Sequence, residues 1–302
     1  MHAHNCYPDH GRWADRIDRA LSAGTPLIIE QDLFWAPDGN GGGRSVVAHN
    51  APLTGEEPSL REHFFDRVQP IIERGLTAMD RSQWPLLVLH LDFKTEEPEH
   101  LAALWDLLGE HEDWLTTAER VADGSIQPFD LKPLWVITED SAAKEKAFHD
   151  DVPVGARLRV FGSAPRWAAP EGTSPQEQAR LLATTSPEEL LPGKPNNYVR
   201  WWNNSWHAVE RGGQPKGGQW TVEEAGRLRA LVDHAHERGF WIRFYCLDGH
   251  DPADESMGWS KGYSFGSQEA VEIRWRAAVE AGVDFLATDQ YEDLARLIAE
   301  LR

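Results

Sequence analysis

The sequence predicts an α/β fold, a (β/α)₈ barrel that forms one domain over residues 1–302. Short apolar runs rich in Val, Ile, Leu and Trp alternate with stretches of helical periodicity, which is typical of a parallel sheet covered by helices. The length of 302 residues accommodates eight strand–helix units. No G-x-G-x-x-G motif follows the first apolar run, which argues against an open nucleotide-binding sheet.

The strands are predicted from apolar runs of strand length that are bounded by polar and turn-forming residues. These runs are 26–34, 85–93, 133–138, 157–162, 197–202, 240–247 and 283–288. A strand that ends near His4 completes the eight. The segment 163–196 is rich in Pro, Gly and Ser and is too long for a minimal barrel loop, so we expect an excursion over the barrel mouth.

Two of the intervening helices carry readable end signals. In "DHGRWADRIDRALSAG" the apolar residues are four apart, Asp9 is the predicted N-cap, and Gly24 occupies the place of a left-handed C-cap. In "TVEEAGRLRALVDHAHERG" the pair Thr221 and Glu224 forms a capping box, and Gly239 marks the end. Both segments are predicted to connect neighbouring strands of the barrel.

Composition limits the partners. The formal net charge is −19, with 49 acidic and 30 basic residues, which opposes binding to nucleic acid or to an anionic membrane. A small anionic substrate stays possible if the site holds a cation. No apolar run of membrane-spanning length occurs, and two cysteines are too few for a disulfide framework. We expect a monomer that acts on a small substrate.

The chain opens on "MHAHN" without a signal peptide, and this opening is itself a predicted barrel strand. We therefore expect that an upstream segment was removed. The sequence leaves the compartment undetermined, with a secreted or periplasmic location favoured over the cytoplasm.

The run "PLIIEQDLFW" places two carboxylates in an apolar strand. Alternate residues of a strand share a face, so Glu30 and Asp32 project side by side. Two like charges at this spacing indicate either a solvated strand end or a bound hard cation with oxygen ligands. Because the strand ends of a barrel converge, Asp92 of "WPLLVLHLDFK" is a third predicted ligand of one divalent ion, and Mg²⁺ is favoured over Ca²⁺.

Lys94 follows Asp92 by two residues and shares its face. It is predicted to offer a positive charge to a substrate oxyanion, and an ordinary salt bridge to Asp92 is the alternative. His2 and His4 end the first predicted strand, and His49 ends "SVVAHN". Imidazoles beside a metal-bound substrate suit general acid and base catalysis. A His₃ zinc site is the competing use, which the neighbouring carboxylates disfavour.

The second half is rich in aromatic residues, with three Trp in "NNYVRWWNNSWH". Trp202 and Asn203 are predicted to bind substrate, as an apolar wall with hydrogen-bonding groups for a head group or sugar. Core packing is the alternative for any one Trp. Arg243 or Asp248 of "WIRFYCLDGHD" is a further predicted substrate contact, with an interior salt bridge as the alternative.

Taken in order, "HAHN", "IEQD", "PDG" before "VVAHN", and "LHLDFK" resemble the PI-PLC-like phosphodiesterase superfamily. The resemblance is to its metal-dependent branch, which contains the glycerophosphodiester phosphodiesterases and the venom phospholipases D (sphingomyelinase D enzymes). The former show a strand-end His, E-x-D, a D-G turn before a second His, and E-x-K. The matching residues here are His2, Glu30, Asp32, Asp38, Gly39, His49, Asp92 and Lys94.

Asp92 in place of Glu is nearer to the venom enzymes, in which an Asn follows the first catalytic His by three positions. This pattern selects His2 with Asn5, a substrate-binding residue by resemblance, and leaves His4 as the alternative. The closing "AGVDFLATDQYEDL" resembles the last barrel strand of the family. "HAHN" lacks the H-R-G of the glycerophosphodiesterases and their P-E-N-T segment is missing, so their substrate is not transferred.

The resemblance implies a metal-dependent phosphodiesterase of lipid metabolism in which one histidine is the base and the other protonates the leaving oxygen. A glycerophosphodiester or a phospholipid head group would be hydrolysed, or transesterified internally to a cyclic phosphate. Three alternatives remain: a metal-free phospholipase C-like lyase, a non-catalytic barrel that binds a carbohydrate or lipid head group, and a metal-dependent hydrolase of another ester or amide.

Overall fold

The apolar runs form barrel strands in the computed structural model, which describes residues 1–38, 42–78, 80–210, 218–251, 253–254 and 261–301. The strands in this part of the chain are β1 (His2–Ala3), β2 (Leu27–Pro37), β3 (Gly43–Val47), β4 (Leu87–Phe93), β5 (Ala118–Glu119), β6 (Leu134–Thr138), β7 (Arg157–Leu158), β8 (Phe161–Ser163), β9 (Val199–Ser205), β10 (Trp241–Tyr245) and β11 (Phe285–Thr288).

The helices of the same ranges are α1 (Arg16–Ser22), α2 (Asp66–Thr77), α3 (Pro98–Glu110), α4 (Ala142–Glu145), α5 (Pro175–Thr184), α6 (Pro187–Leu190), α7 (Val222–Arg238), α8 (Gln268–Ala281) and α9 (Tyr291–Glu300). Single 3₁₀ or π turns occupy Arg61–Phe65, Arg81–Gln83, Glu112–Trp114, Lys146–Asp150, Trp206–Ala208 and Lys261–Tyr263. Among the residues described, no helix is both long and apolar enough to cross a membrane.

The main sheet has the strand order β1, β11, β10, β9, β8, β6, β4, β2 and β3, and β1 also pairs with β2. The strands from β1 to β2 in this order form a closed, parallel, eight-stranded barrel, and β3 is added antiparallel to β2. The predicted (β/α)₈ fold is therefore confirmed. Strands β5 and β7 form a separate two-stranded antiparallel sheet.

Most predicted strands are present with shifted ends. The run 157–162 divides into β7, which pairs outside the barrel, and β8, which belongs to it. Strand β9 begins and ends later than the predicted 197–202, and β10 ends at Tyr245, before the predicted 247. Cys246 directly after β10 has φ 66°, which no strand residue adopts. Helices α5 and α6 lie within the predicted excursion 163–196.

The helix ends follow local chemistry. The side chain of Thr221 accepts from the backbone of Glu224 and the Glu224 carboxylate accepts from that of Thr221, so the predicted capping box is confirmed. Gly239 ends α7 with φ 87°, as predicted. The prediction of Asp9 as an N-cap is wrong, because Asp9 forms a backbone bridge with Arg12 and α1 begins only at Arg16.

The chain divides into two compact units. We call Asn5–Ser163 with Asn196–Val199 the N-terminal unit. Met1–His4, Ala164–Pro195 and Arg200–Arg302 form the C-terminal unit. In the N-terminal unit α3 buries Leu101, Leu104 and Leu108, and in the C-terminal unit α7 buries Leu228, Leu231 and Val232. The prediction of one domain over residues 1–302 stays a prediction.

Candidate active site

Two parallel strands of the N-terminal unit bring the predicted metal ligands together. Strands β2 and β4 pair in a register that sets Glu30 opposite His90 and Asp32 opposite Asp92. Oxygen atoms of Glu30, Asp32 and Asp92 all lie within 4.8 Å of one another. Paired residues of adjacent strands point to the same face, so the register alone fixes this convergence.

Lys94 follows the end of β4 and lies against two of these carboxylates. Its Nζ is 2.7 Å from Asp32 Oδ2 and 2.8 Å from Asp92 Oδ2. The Asp92–Lys94 salt bridge, which was the alternative to a substrate contact of Lys94, is therefore present, and it extends to Asp32. Burial by itself would lower the pKa of Lys94, but the charges of Asp32 and Asp92 hold that pKa above its ordinary value. The ammonium is a fixed positive charge.

Asp32 is the most constrained of the three carboxylates. It is 1% exposed, and its close polar neighbour is the ammonium of Lys94, 2.7 Å from Oδ2. Burial first, and then the charge of Asp92, raises the pKa of Asp32 well above its usual value, although Lys94 opposes this. Three carboxylates against one ammonium leave an excess of negative charge on a set of oxygen donors. The residues present thus fit a hard divalent cation.

His49 reaches this cluster because the chain reverses after β2. Strand β3 runs antiparallel to β2 and pairs Val47 with Leu33, and the Ala48 amide donates to the carbonyl of Asp32 at 3.1 Å. His49 Nε2 then lies 3.9 Å from Asp32 Oδ2. Gly39, which belongs to the predicted turn before His49, lies outside the described residues.

The imidazole of His49 is accessible and oriented. Its side chain is 35% exposed, which leaves room for a substrate to reach it. Nδ1 lies 3.0 Å from Oδ1 of Asn50, so Nε2 is the nitrogen turned toward the carboxylates. Burial, followed by the positive charge of Lys94, lowers the pKa of His49. A neutral imidazole at neutral pH is able to accept a proton.

Sequence reasoning missed two buried residues of this cluster. His90 is 1% exposed, with Nδ1 3.3 Å from Glu30 Oε2. Tyr7 stacks on His49 at a ring distance of 6.1 Å and an angle of 13°. Burial and then the charge of Asp32 raise the pKa of Tyr7, so its phenol stays protonated. The alternation of "LHLDFK" already placed His90 on the face of Asp92, whereas no local signal marked Tyr7.

Asn5 contacts Tyr7 rather than an open surface. Its Oδ1 accepts from the phenol at 2.6 Å and its carbonyl accepts from Arg16 Nη1 at 3.0 Å. Asn5 is 3% exposed and has φ 50°, a left-handed conformation that Asn tolerates better than most residues. The predicted role of Asn5 in substrate binding stays a prediction.

In the C-terminal unit His2 is bound to an arginine. Arg243 Nε donates to His2 Nδ1 at 2.9 Å, and Arg243 Nη1 donates to Asn203 Oδ1 at 2.9 Å. Arg243 is 2% exposed. A nitrogen that accepts from a guanidinium has an unprotonated lone pair, so this contact holds His2 in the neutral form with its proton on Nε2.

His4 has the opposite surroundings in the same unit. Its Nδ1 lies 2.9 Å from Oδ1 of Asp289. Asp248 Oδ1 accepts from Thr288 Oγ1 at 2.6 Å and from the Asp289 amide at 2.7 Å. Burial and then the charge of Asp289 raise the pKa of Asp248 to about 7. Sequence reasoning named Asp248 as a candidate substrate contact and missed Asp289, although "LATDQ" at a strand end was a signal for it.

Comparisons with known proteins add a fold-level likeness. No protein-family model and no curated protein sequence matches the chain. The structure is similar to that of a glycerophosphoryl diester phosphodiesterase from Parabacteroides distasonis, with 14% identity and a TM-score of 0.44. The match covers 99% of this chain and 85% of that one. That protein carries the name of a family that the motifs resemble, but the likeness is too remote to support an argument about this chain.

Proposed function

We propose that the chain is a phosphodiesterase that depends on one divalent cation, Mg²⁺ in preference to Ca²⁺, bound in the N-terminal unit. The supporting observation is the convergence of Glu30, Asp32 and Asp92 within 4.8 Å at adjacent strands. An ordinary solvated strand end does not account for it, because Asp32 and Glu30 are 1% and 4% exposed. Lys94 compensates part of the charge of these carboxylates, and a divalent cation would compensate the remainder.

The proposed roles follow from the contacts. The cation, when bound, would polarise a phosphoryl oxygen and reduce the repulsion between an anionic diester and its nucleophile. Lys94 presents a fixed ammonium to the phosphoryl oxygens as negative charge builds up on them. His49 moves a proton at Nε2, with Asn50 fixing the ring through Nδ1. Tyr7 supports the ring of His49 by stacking.

The sequence assigns a second proton-transfer role to His2, with His4 as the alternative. His2 is held neutral by Arg243, and His4 is paired with Asp289. These contacts fix the orientation of each ring through its Nδ1. A panel of phosphodiesters identifies the alcohols on either side of the phosphate. Analysis of the products distinguishes hydrolysis from formation of a cyclic phosphate.

The decisive experiment is a metal add-back series on a panel of phosphodiesters that contains bis-p-nitrophenyl phosphate, glycerophosphodiesters, lysophospholipids and inositol phosphodiesters. We expect EDTA to abolish cleavage and Mg²⁺ to restore it. Asp92→Asn keeps the side-chain shape but removes a charged ligand, so it should weaken metal activation. His49→Ala should lower the rate by about 10²–10⁴-fold with the metal site intact.

A readout other than activity separates metal binding from catalysis. Mg²⁺ should raise the thermal midpoint of the wild type and of His49→Ala, since a ligand of the folded state stabilises it, but not of Asp92→Asn. Asp106→Asn, an exposed acid on α3, is the matched control and should behave as wild type. Cleavage that survives exhaustive EDTA would favour the metal-free lyase. A rate for His49→Ala close to that of the wild type would overturn the assignment of His49.

A further inference from the structure

A cavity of about 540 Å³ lies wholly within the C-terminal unit. It is bounded by the carboxyl ends of β9 and β10 and by the segment that carries α5. In (β/α)₈ barrels the carboxyl ends of the strands carry the binding residues. The volume is that of a site for a small organic ligand.

The walls of the cavity combine aromatic faces with amide and hydroxyl groups. The partly exposed Trp167 and Tyr245 supply the accessible aromatic surface, and Trp202 lines the cavity with 2% of its surface exposed. Asn204 and Ser205 line the cavity beside them. Aromatic faces next to hydrogen-bonding side chains suit a ligand whose ring has apolar C–H faces and hydroxyl edges.

Asn204 gives this cavity a specific polar feature. It is 6% exposed, and its Nδ2 has no hydrogen-bond partner among the described residues. A buried amide nitrogen without a partner is unfavourable relative to one that donates a hydrogen bond. A ligand oxygen that accepted this hydrogen bond would remove that cost.

Charge narrows the class of ligand. The chain has 49 acidic residues, yet none of the described residues that line the cavity is Asp or Glu. Arg166 at its edge donates to the Tyr245 hydroxyl at 2.9 Å. An organic cation such as choline would meet this guanidinium without a compensating carboxylate. The net charge of −19 opposes anions at longer range, so a neutral ligand fits best.

We propose that this cavity binds a neutral polyhydroxylated ring, a sugar or a cyclitol. Trp167 and Tyr245 pack against the ring, and Asn204 donates to a hydroxyl oxygen. This binding function goes beyond the proposed phosphodiesterase and does not depend on it. The ring occurs free or as a substituent of a larger molecule, and the cavity recognises the same chemistry in both.

The test is direct binding to the full chain by saturation-transfer NMR and calorimetry. The probes are methyl β-D-glucoside, myo-inositol and glycerol, with choline chloride as the cationic counterpart. We expect saturable binding of at least one ring polyol and weaker binding of glycerol and choline. Trp167→Ala should weaken binding about tenfold, and Asn204→Leu should do so to a similar extent through loss of one hydrogen bond.

Trp84→Ala, a half-buried Trp of the N-terminal unit, is the matched control and should leave polyol binding unchanged. Trp167 is partly exposed, so its variant keeps the test valid even if Asn204→Leu fails to fold. Asp92→Asn should bind the polyol as wild type does, which separates this inference from the phosphodiesterase proposal. Choline binding above that of every polyol, or polyol affinity unmoved by both cavity variants, would overturn the inference.

Discussion

Each of the two units buries an aspartate whose pKa is raised. Asp32 and Asp248 are each 1% exposed, and burial raises the pKa of both. Asp248 accepts hydrogen bonds from Thr288 and from the backbone of Asp289, whereas Asp32 has Lys94 as its close neighbour. Asp248 lies beside one further acid and a histidine, whereas Asp32 lies beside two further carboxylates, which gives it an all-oxygen donor set for a hard cation.

Asp248 predicts a pH dependence of stability whose sign follows from its pKa. The folded-state pKa of about 7 exceeds the unfolded value of about 3.9, so the native state binds more protons between these values. The Asp248 contribution to stability is therefore complete below about pH 4 and is lost as the pH rises through 7. Asp248→Asn keeps an oxygen for both accepted hydrogen bonds and removes the titration.

We expect Asp248→Asn to gain stability on the order of 2 kcal/mol relative to wild type at pH 8, and to lose this advantage at low pH. Urea denaturation at a series of pH values measures the difference. Asp233→Asn, an exposed acid on α7, serves as the control. Parallel stability curves for Asp248→Asn and wild type across the series would contradict the assignment.

At the scale of elements, boundaries set by local chemistry were predictable and boundaries set by partners were not. Thr221, Glu224 and Gly239 fix the ends of α7 through contacts within a few residues, and all three were correctly predicted. Asp9 failed as a cap because its backbone pairs with Arg12. The run 157–162 failed as one strand because its two halves pair with different sheets.

Helix α7 provides a matched pair of substitutions with opposite signs. Gly226 lies exposed in the helix interior, and an added Cβ there would meet no atom within 4 Å, so Gly226→Ala should stabilise by about 0.5–1 kcal/mol. Gly239 has φ 87°, and its added Cβ would make only an ordinary contact, 3.6 Å from Pro195. Gly239→Ala should therefore destabilise by about 1–2 kcal/mol through backbone strain.

Chemical denaturation of the two variants under one buffer measures both signs. The free energy of unfolding of each variant is compared with that of the wild type, and the N-terminal cap of α7 is the same in all three proteins. Equal effects of the two substitutions would mean that the left-handed C-cap of α7 carries no strain for a residue with a side chain.

For the whole molecule, the alternation of strands and helices was enough to predict the barrel, because hydrophobic periodicity is a local property of the sequence. The three carboxylates and Lys94 were predictable because strand ends of a barrel converge and alternate residues share a face. Tyr7 was not, because its position depends on tertiary packing that no local pattern records. The same holds for the contact between His2 and Arg243, which are 241 residues apart in sequence.

The net charge of −19 repels an anionic substrate at long range. Repulsion of a diester anion by the excess of acidic residues should slow its capture at low ionic strength, and added salt screens this repulsion with a Debye length of about 10 Å at 0.1 M. At saturating Mg²⁺, added KCl should lower KM for bis-p-nitrophenyl phosphate by a factor on the order of two, with kcat unchanged. Glycerophosphocholine has no net charge and is the matched control substrate, so its KM should not change with KCl.

A KM for the anionic diester that rises with KCl would show that local cationic groups such as Lys94, rather than the net charge, govern substrate capture.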